Sequence, residues 1–296
     1  MNNPRDLFSS FSKKNKKNEE KRCHFDNPWL MARNWYASEL GQALYDVEKQ
    51  SLDKLLEHIF GYNLVQLGCL KTEAKNNSLI SNSRISSQFV LESLAQPDQL
   101  NSGSCINTRF DELPIQNQSI DAIILPHTLE FEQNPHQILR EVERVLVAEG
   151  KAIFLGFNPT SLWGFWHKYW EMKDRIADKN STKGNEDIPL PSCGYLIGQK
   201  RLRDWMQLLG FDIDLVKEYF YRPPLQNSVL LKKLEFIERA GQLSKILPAG
   251  GYIMVASKRV STLTPIPQGW KLAKTFISPE ASQPSAGFKN TNIKKD

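Results

Sequence analysis

Two periods of apolar and polar positions alternate along residues 38–262. From 38 to 60, Leu40, Leu44, Val47, Leu52, Leu55, Leu56 and Ile59 recur near helical spacing with charges between them, and Gly61 supplies a stop. The short apolar run Asn63–Gly68 then reads as a buried strand, and Gln88–Leu91 and residues 104–109 as two weaker ones. Ile120–Leu125, bounded by Ser119 and Pro126, is the clearest strand. A helix follows at about 135–147, with Ile138, Leu139, Val142, Val145 and Leu146 on one side and Pro135 in its first turn. Glu149-Gly150 closes it ahead of a strand over Lys151–Gly156. The pattern then predicts a helix over 198–209 ended by Gly210, a strand over 211–220, a helix over 227–243 and a last strand over 252–257. Strands alternating with helices predict an α/β fold, with a mostly parallel sheet covered on both faces. Ligands of such sheets sit at the carboxyl ends of the strands, so the residues just after each strand carry the chemistry.

The 296 residues are 40% hydrophobic and 24% charged, which is enough apolar material for a sizeable core and excludes a wholly disordered chain. No apolar run approaches the ~20 residues of a transmembrane helix, and no leader-like apolar segment follows the first residues. The four cysteines, Cys23, Cys69, Cys105 and Cys193, are scattered with no C-x-x-C pair, so neither a metal site nor a disulfide framework is expected, and a cytoplasmic setting is. The net charge of +5 sits in the ends. Residues 1–22 hold seven Lys/Arg against three acids, and 263–296 hold five Lys against two. These ends, residues 1–24 and 263–296, read as disordered arms flanking one domain over 25–262, with an insertion at about 160–195. Basic character confined to the arms, without a zinc-finger spacing, an RNP motif or an arginine-rich helix, argues against nucleic acid as the partner.

Residues 107–159 carry a more specific pattern. Asp111-Glu112-Leu113-Pro114-Ile115 is followed by Ser119-Ile120-Asp121-Ala122, then by Arg140-Glu141-Val142-Glu143-Arg144-Val145-Leu146, then by Glu149-Gly150 and a strand. This order resembles class I S-adenosylmethionine-dependent methyltransferases, most closely the type 11 branch. Gly41 to Gly68, Phe157–Pro159 with Ser161–Gly164, and Val255–Arg259 extend the likeness over about 28–262, to a bacterial subgroup of uncharacterised methyltransferase-like proteins. The resemblance implies a Rossmann-like sheet of seven strands with the last one antiparallel. It also implies S-adenosyl-L-methionine as cofactor and a small-molecule or unknown methyl acceptor. Methyl transfer from a sulfonium asks the protein mainly to position two partners and exclude water.

Carried onto this chain, the resemblance makes Leu67 and Gly68 the cofactor turn, Glu92 the acid that would hold ribose hydroxyls, and Asp111 and Glu112 the residues bordering adenine. The chain departs from the family at three places. Leu67-Gly68-Cys69-Leu70-Lys71-Thr72 keeps one glycine where the family has Gly-x-Gly-x-Gly, Glu92 is the sole acid available after the second strand, and Arg109 stands where an Asp is usual. His127, after Pro126, is expected at the crevice, either as cofactor contact or proton acceptor or as a hydrogen-bonded structural histidine. Asn158 either orients a substrate group or makes a turn with Pro159. Trp163, Trp166, Tyr169 and Trp170 crowd one segment, and packing, a substrate wall and a peripheral membrane contact through 162–170 all remain open. Two functions follow: a methyltransferase with a reduced glycine turn, or a catalytically inactive protein that keeps the fold as a binding or regulatory module. A nicotinamide oxidoreductase would need a G-x-G-x-x-G that is not present.

Overall fold

A computed structural model describes residues 28–71, 79–93, 105–176, 190, 195–223 and 248–260. Two helices open it, α1 (Pro28–Tyr36) and α2 (Glu39–Leu56). Ser38 separates them and caps α2, its hydroxyl accepting from the Gly41 amide at 3.2 Å. The strands are β1 (Asn63–Leu67), β2 (Ser87–Glu92), β3 (Cys105–Asn107), β4 (Ile120–Pro126), β5 (Leu146–Phe157), β6 (Phe211–Tyr219) and β7 (Gly251–Lys258). Between them lie the single-turn α3 (Thr128–Phe131), α4 (Pro135–Val145), α5 (Leu162–Ile176) and α6 (Gln199–Leu208). The seven strands form one sheet of order 3-2-1-4-5-7-6. β7 runs antiparallel to both neighbours and the remaining pairings are parallel. The α/β fold and the antiparallel last strand therefore agree with expectation.

β4 and β7 are buried along nearly their whole length, because helices or neighbouring segments cover both faces there. Asp121 pins the start of β1 to β4 by accepting from the amides of Tyr62 and Asn63, both at 2.9 Å. The charged residues of α4 do more than form the solvated face that their spacing suggests. Glu141 accepts from the Leu113 amide at 2.9 Å, and Arg144 donates to the carbonyls of Leu113 at 2.9 Å and Ile115 at 2.8 Å. The motif Arg140–Leu146 thus clamps the Leu113-Pro114-Ile115 turn.

The helix at 135 ends at Val145, shorter than its apolar pattern predicts. Leu146 already pairs with Ile120, and the ladder resumes with Lys151 beside Ala122 after an irregularity in which Glu149 adopts φ 63°. Glu149-Gly150 is therefore a kink inside β5, not the end of a helix. α1 and α5 are additional to the periodic pattern. The predicted helix over 227–243, both arms and residues 177–189 of the insertion lie outside the described residues.

Candidate functional site

The carboxyl ends of β1, β2, β4 and β5 meet beneath α1 and α2. Gly68 follows β1 with φ 93°, a conformation that costs a residue with a Cβ, and its amide donates to Leu91 at 2.8 Å. Because Leu67 stands opposite Leu91 in the ladder, Gly68 and Glu92 end neighbouring strands side by side. These are the two groups that sequence reasoning placed at the turn and at the acid.

Both are engaged by α1. A Cβ built on Gly68 would come within 2.2 Å of the Trp29 ring, which lies over the turn. That ring is 3% exposed, packs edge-on to Phe110 and Phe131, and donates through Nε1 to Glu132 at 2.8 Å. One turn further along α1, the Arg33 guanidinium pairs with the Glu92 carboxylate at 3.0 Å and donates to the Cys69 carbonyl at 3.0 Å, all buried or nearly so. The sheet residues fit a bound nucleoside, with a glycine of positive φ beside a carboxylate that could take two hydroxyls. The α1 residues fill the same crevice.

Behind this lies a buried polar cluster. His127, at φ 56° after β4, has no exposed surface. Its Nδ1 lies 2.8 Å from Glu130 and its Nε2 3.0 Å from Glu48. With Glu130 and Glu48 both ionised, both ring nitrogens donate and the ring is an imidazolium. Burial alone would lower its pKa, but the Glu48 charge and the hydrogen bonds to Glu130 and Glu48 outweigh it and push it up to about 9. Glu48 also accepts from Tyr219 at 2.9 Å and Tyr36 at 3.3 Å. Glu130 accepts from the Phe157 amide at 2.8 Å, while burial raises its pKa against the pull of His127. Burial, with the Glu48 charge, likewise pushes both phenols up, so Tyr36 and Tyr219 stay neutral donors. With both nitrogens committed, His127 in this state offers no lone pair to an acceptor's proton.

The other expected residues lie apart from this cluster. Leu67 is buried and its carbonyl accepts from the Thr128 hydroxyl. Asp111 is held by Arg109 at 2.8 Å at the surface, which lowers its pKa, and Glu112 is exposed beside it. Arg109 therefore pairs with the nearby acid, its side chain largely in solvent. Asn158 accepts through Oδ1 from the Thr160 amide at 3.1 Å and hydroxyl at 2.7 Å, organising the turn into α5. In that turn Gly164 approaches Pro159 so closely that a Cβ would meet the Pro159 carbonyl oxygen at 2.4 Å.

Sequence reasoning missed Trp29, Arg33, Tyr36, Glu48 and Tyr219. The signal for Glu48 was present, since it lies four residues from both Leu44 and Leu52 on the apolar face of α2. Among the described residues no group of His, Cys, Asp and Glu has the makings of a metal site.

The model of a methyltransferase domain family, the type 11 branch, matches residues 75–154. Over those residues the chain is similar to a type 11 methyltransferase domain. The match covers β2 to β5 and not the Gly68 turn, α1 or α2. An uncharacterised Escherichia coli protein, YafS, is 25% identical over 191 residues. That alignment covers 64% of this chain and 65% of the relative, just under two thirds of its length. A SAM-dependent methyltransferase structure from Thermotoga maritima superposes with a TM-score of 0.51 at 16% identity, over 79% of this chain and 100% of that one. A chain from the Haloferax volcanii complex of a methyltransferase activator with its methyltransferase gives 0.51 at 14%, over 77% and 98%. At these identities the structural likenesses show the fold.

Proposed function

We propose that the chain is an S-adenosylmethionine-dependent methyltransferase with an as yet unidentified acceptor, and that its cofactor crevice is covered by its own helix α1. One observation carries the reading. A positive-φ glycine, Gly68, and a carboxylate, Glu92, end adjacent strands of a sheet whose residues 75–154 match the type 11 methyltransferase domain. When bound, the cofactor supplies a methyl group already activated as a sulfonium, and no general base is then obligatory for every acceptor. The chain's own work is positional. Gly68 allows close backbone approach, and Glu92 offers two oxygens to vicinal hydroxyls once Arg33 has left it. The aromatic wall of Phe110 and Phe131 excludes water from the same space. His127 holds the β4–α3 corner through Glu48 and Glu130, and is a positioning residue in this reading. Asn158 positions the turn leading to α5.

A second reading, a module that keeps the fold without catalysis, is favoured by the packing of Trp29 and Arg33 onto those two groups. Calorimetric titration of the full chain with S-adenosylmethionine and S-adenosylhomocysteine, followed by transfer of labelled methyl to a cell extract, separates the two. Binding with transfer establishes the enzyme. Absence of binding to either ligand, in the native chain and in a Trp29→Ala variant alike, leaves the module. No described helix is long and apolar enough to cross a membrane.

A further inference from the structure

Helix α5 is apolar on two sides. Trp163 and His167 face the core, and Trp163 donates to the Arg222 carbonyl at 2.7 Å. On the outside, Leu162, Phe165, Trp166, Tyr169 and Met172 are exposed, with Phe165 at 69%, Met172 at 60% and Tyr169 at 57%. At 100° per residue these five fall in a stripe about 120° wide and about 15 Å long. A helix that turns an apolar stripe to the surface as well as to the core presents a patch that calls for a cover.

The composition of the stripe indicates what covers it. Trp166 and Tyr169 are amphipathic rings, of the kind that gather where hydrocarbon meets polar headgroups, and Phe165, Leu162 and Met172 lie between and around them. Lys168 is exposed at the edge of the stripe. Helix α6 begins at the same corner, since Gly198 lies against Pro159 and Pro159 packs on Gly164 of α5. Its first turns expose Lys200, Arg201 and Arg203, with Asp204 as the acid beside them. The chain is also net +5, with its basic excess in the arms. An apolar aromatic stripe with Lys168 at its edge and three exposed cations on the neighbouring helix, on a 15-residue helix too short to span a bilayer, suits a helix lying in an anionic interface.

We propose that α5 seats this domain on the surface of an anionic lipid bilayer, with the stripe from Leu162 to Met172 in the headgroup region. The proposal does not depend on methyl transfer, and its test uses no cofactor. The full chain is sedimented with vesicles of phosphatidylethanolamine and phosphatidylglycerol, and with vesicles of phosphatidylcholine alone, at low and high salt. The expected result is partition onto the anionic vesicles that weakens with salt and falls at least about tenfold in a Phe165→Ser, Tyr169→Ser double variant. Because both positions are exposed, the thermal midpoint of the variant should stay near that of the native chain. Partition undiminished in the double variant would place binding in the basic arms and overturn the proposal. So would absence of partition, or sedimentation velocity showing a native dimer that the double variant turns to monomer, since a second copy would then be the cover.

Discussion

If α1 competes with the cofactor, removing the Trp29 side chain should tighten cofactor binding while it loosens the protein. Trp29 is 3% exposed, lies over Gly68 and meets Phe110 and Phe131 edge-on with ring centroids 5.9 and 5.5 Å away. Burying a large apolar side chain is worth roughly 1.5–3 kcal/mol, and each edge-to-face pair adds roughly 0.5–1.5 kcal/mol. Part of that is offset by the cost of ordering the first turns of α1. A net preference of about 2–3 kcal/mol for the covered state is a fair working figure. Covering lowers apparent affinity by the fraction of uncovered molecules, so its removal should lower the dissociation constant about 30- to 160-fold. Calorimetry on the native chain, Trp29→Ala and the surface control Leu208→Ala reads this directly. In parallel, denaturant unfolding of Trp29→Ala should show a loss of at most about 2–3 kcal/mol, because the uncovered molecule is still folded. Opposite signs for affinity and stability are the signature of an intramolecular competitor. If affinity falls along with stability, the ring supports the site and the competition idea is wrong.

Other perturbations test the remaining parts. Gly68→Val places a Cβ against Trp29 at φ 93° and should cost about 2–4 kcal/mol in unfolding free energy, with cofactor binding lost. The unfolded value of the His127 imidazole is 6.5 and the folded one about 9, so its stabilising contribution is complete below 6.5 and disappears as pH rises through about 9. Thermal midpoints should decline over that window in the native chain and decline less in His127→Gln, and a flat native profile would contradict an imidazolium. Arg144→Met frees the Leu113-Pro114-Ile115 turn from two carbonyl contacts and should cost about 1–2 kcal/mol, seen as a lower urea midpoint. Asn158→Ala should lower stability by about 1 kcal/mol. If methyl transfer is found, that variant should retain most of its rate, whereas a substrate-orienting amide would lose far more.

The sheet was legible because its information is local. β1, β4 and β7 are short apolar runs with turn residues at their ends, and Gly68, Asp121 and Arg140–Leu146 fall at recognisable positions relative to them. The site was only half legible because its other half is non-local. Arg33 reaches Glu92 across 59 positions and Glu48 reaches His127 across 79, and no short window contains such a pair. α1 is also only nine residues long, too short for its periodicity to stand out. The boundary between α4 and β5 failed for a different reason. Leu146 continues the apolar face of the helix and also pairs with Ile120, and the parallel ladder takes it.

The cover and the buried cluster belong to one helical pair, and this limits how the crevice can open. Tyr36, the last residue of α1, donates to Glu48 of α2, and Glu48 is bound in turn to His127 and Tyr219. Swinging α1 away as a rigid body would strip Glu48 of one donor in a fully enclosed setting, where every lost partner is costly. The contacts that obstruct the crevice are confined to the first two turns, at Trp29 and Arg33, and the first four amides of a helix have no intrahelical acceptor, so its start is the part most easily unwound. Opening by unwinding from Pro28 to about Arg33 would release Gly68 and Glu92 together while Tyr36, Glu48 and His127 stay in place. The cluster therefore acts as the anchor against which the cover works, and its charge arrangement is consistent with that role. An imidazolium between two carboxylates, fed by two phenols and a backbone amide, is satisfied on every side and has nothing to gain from following α1.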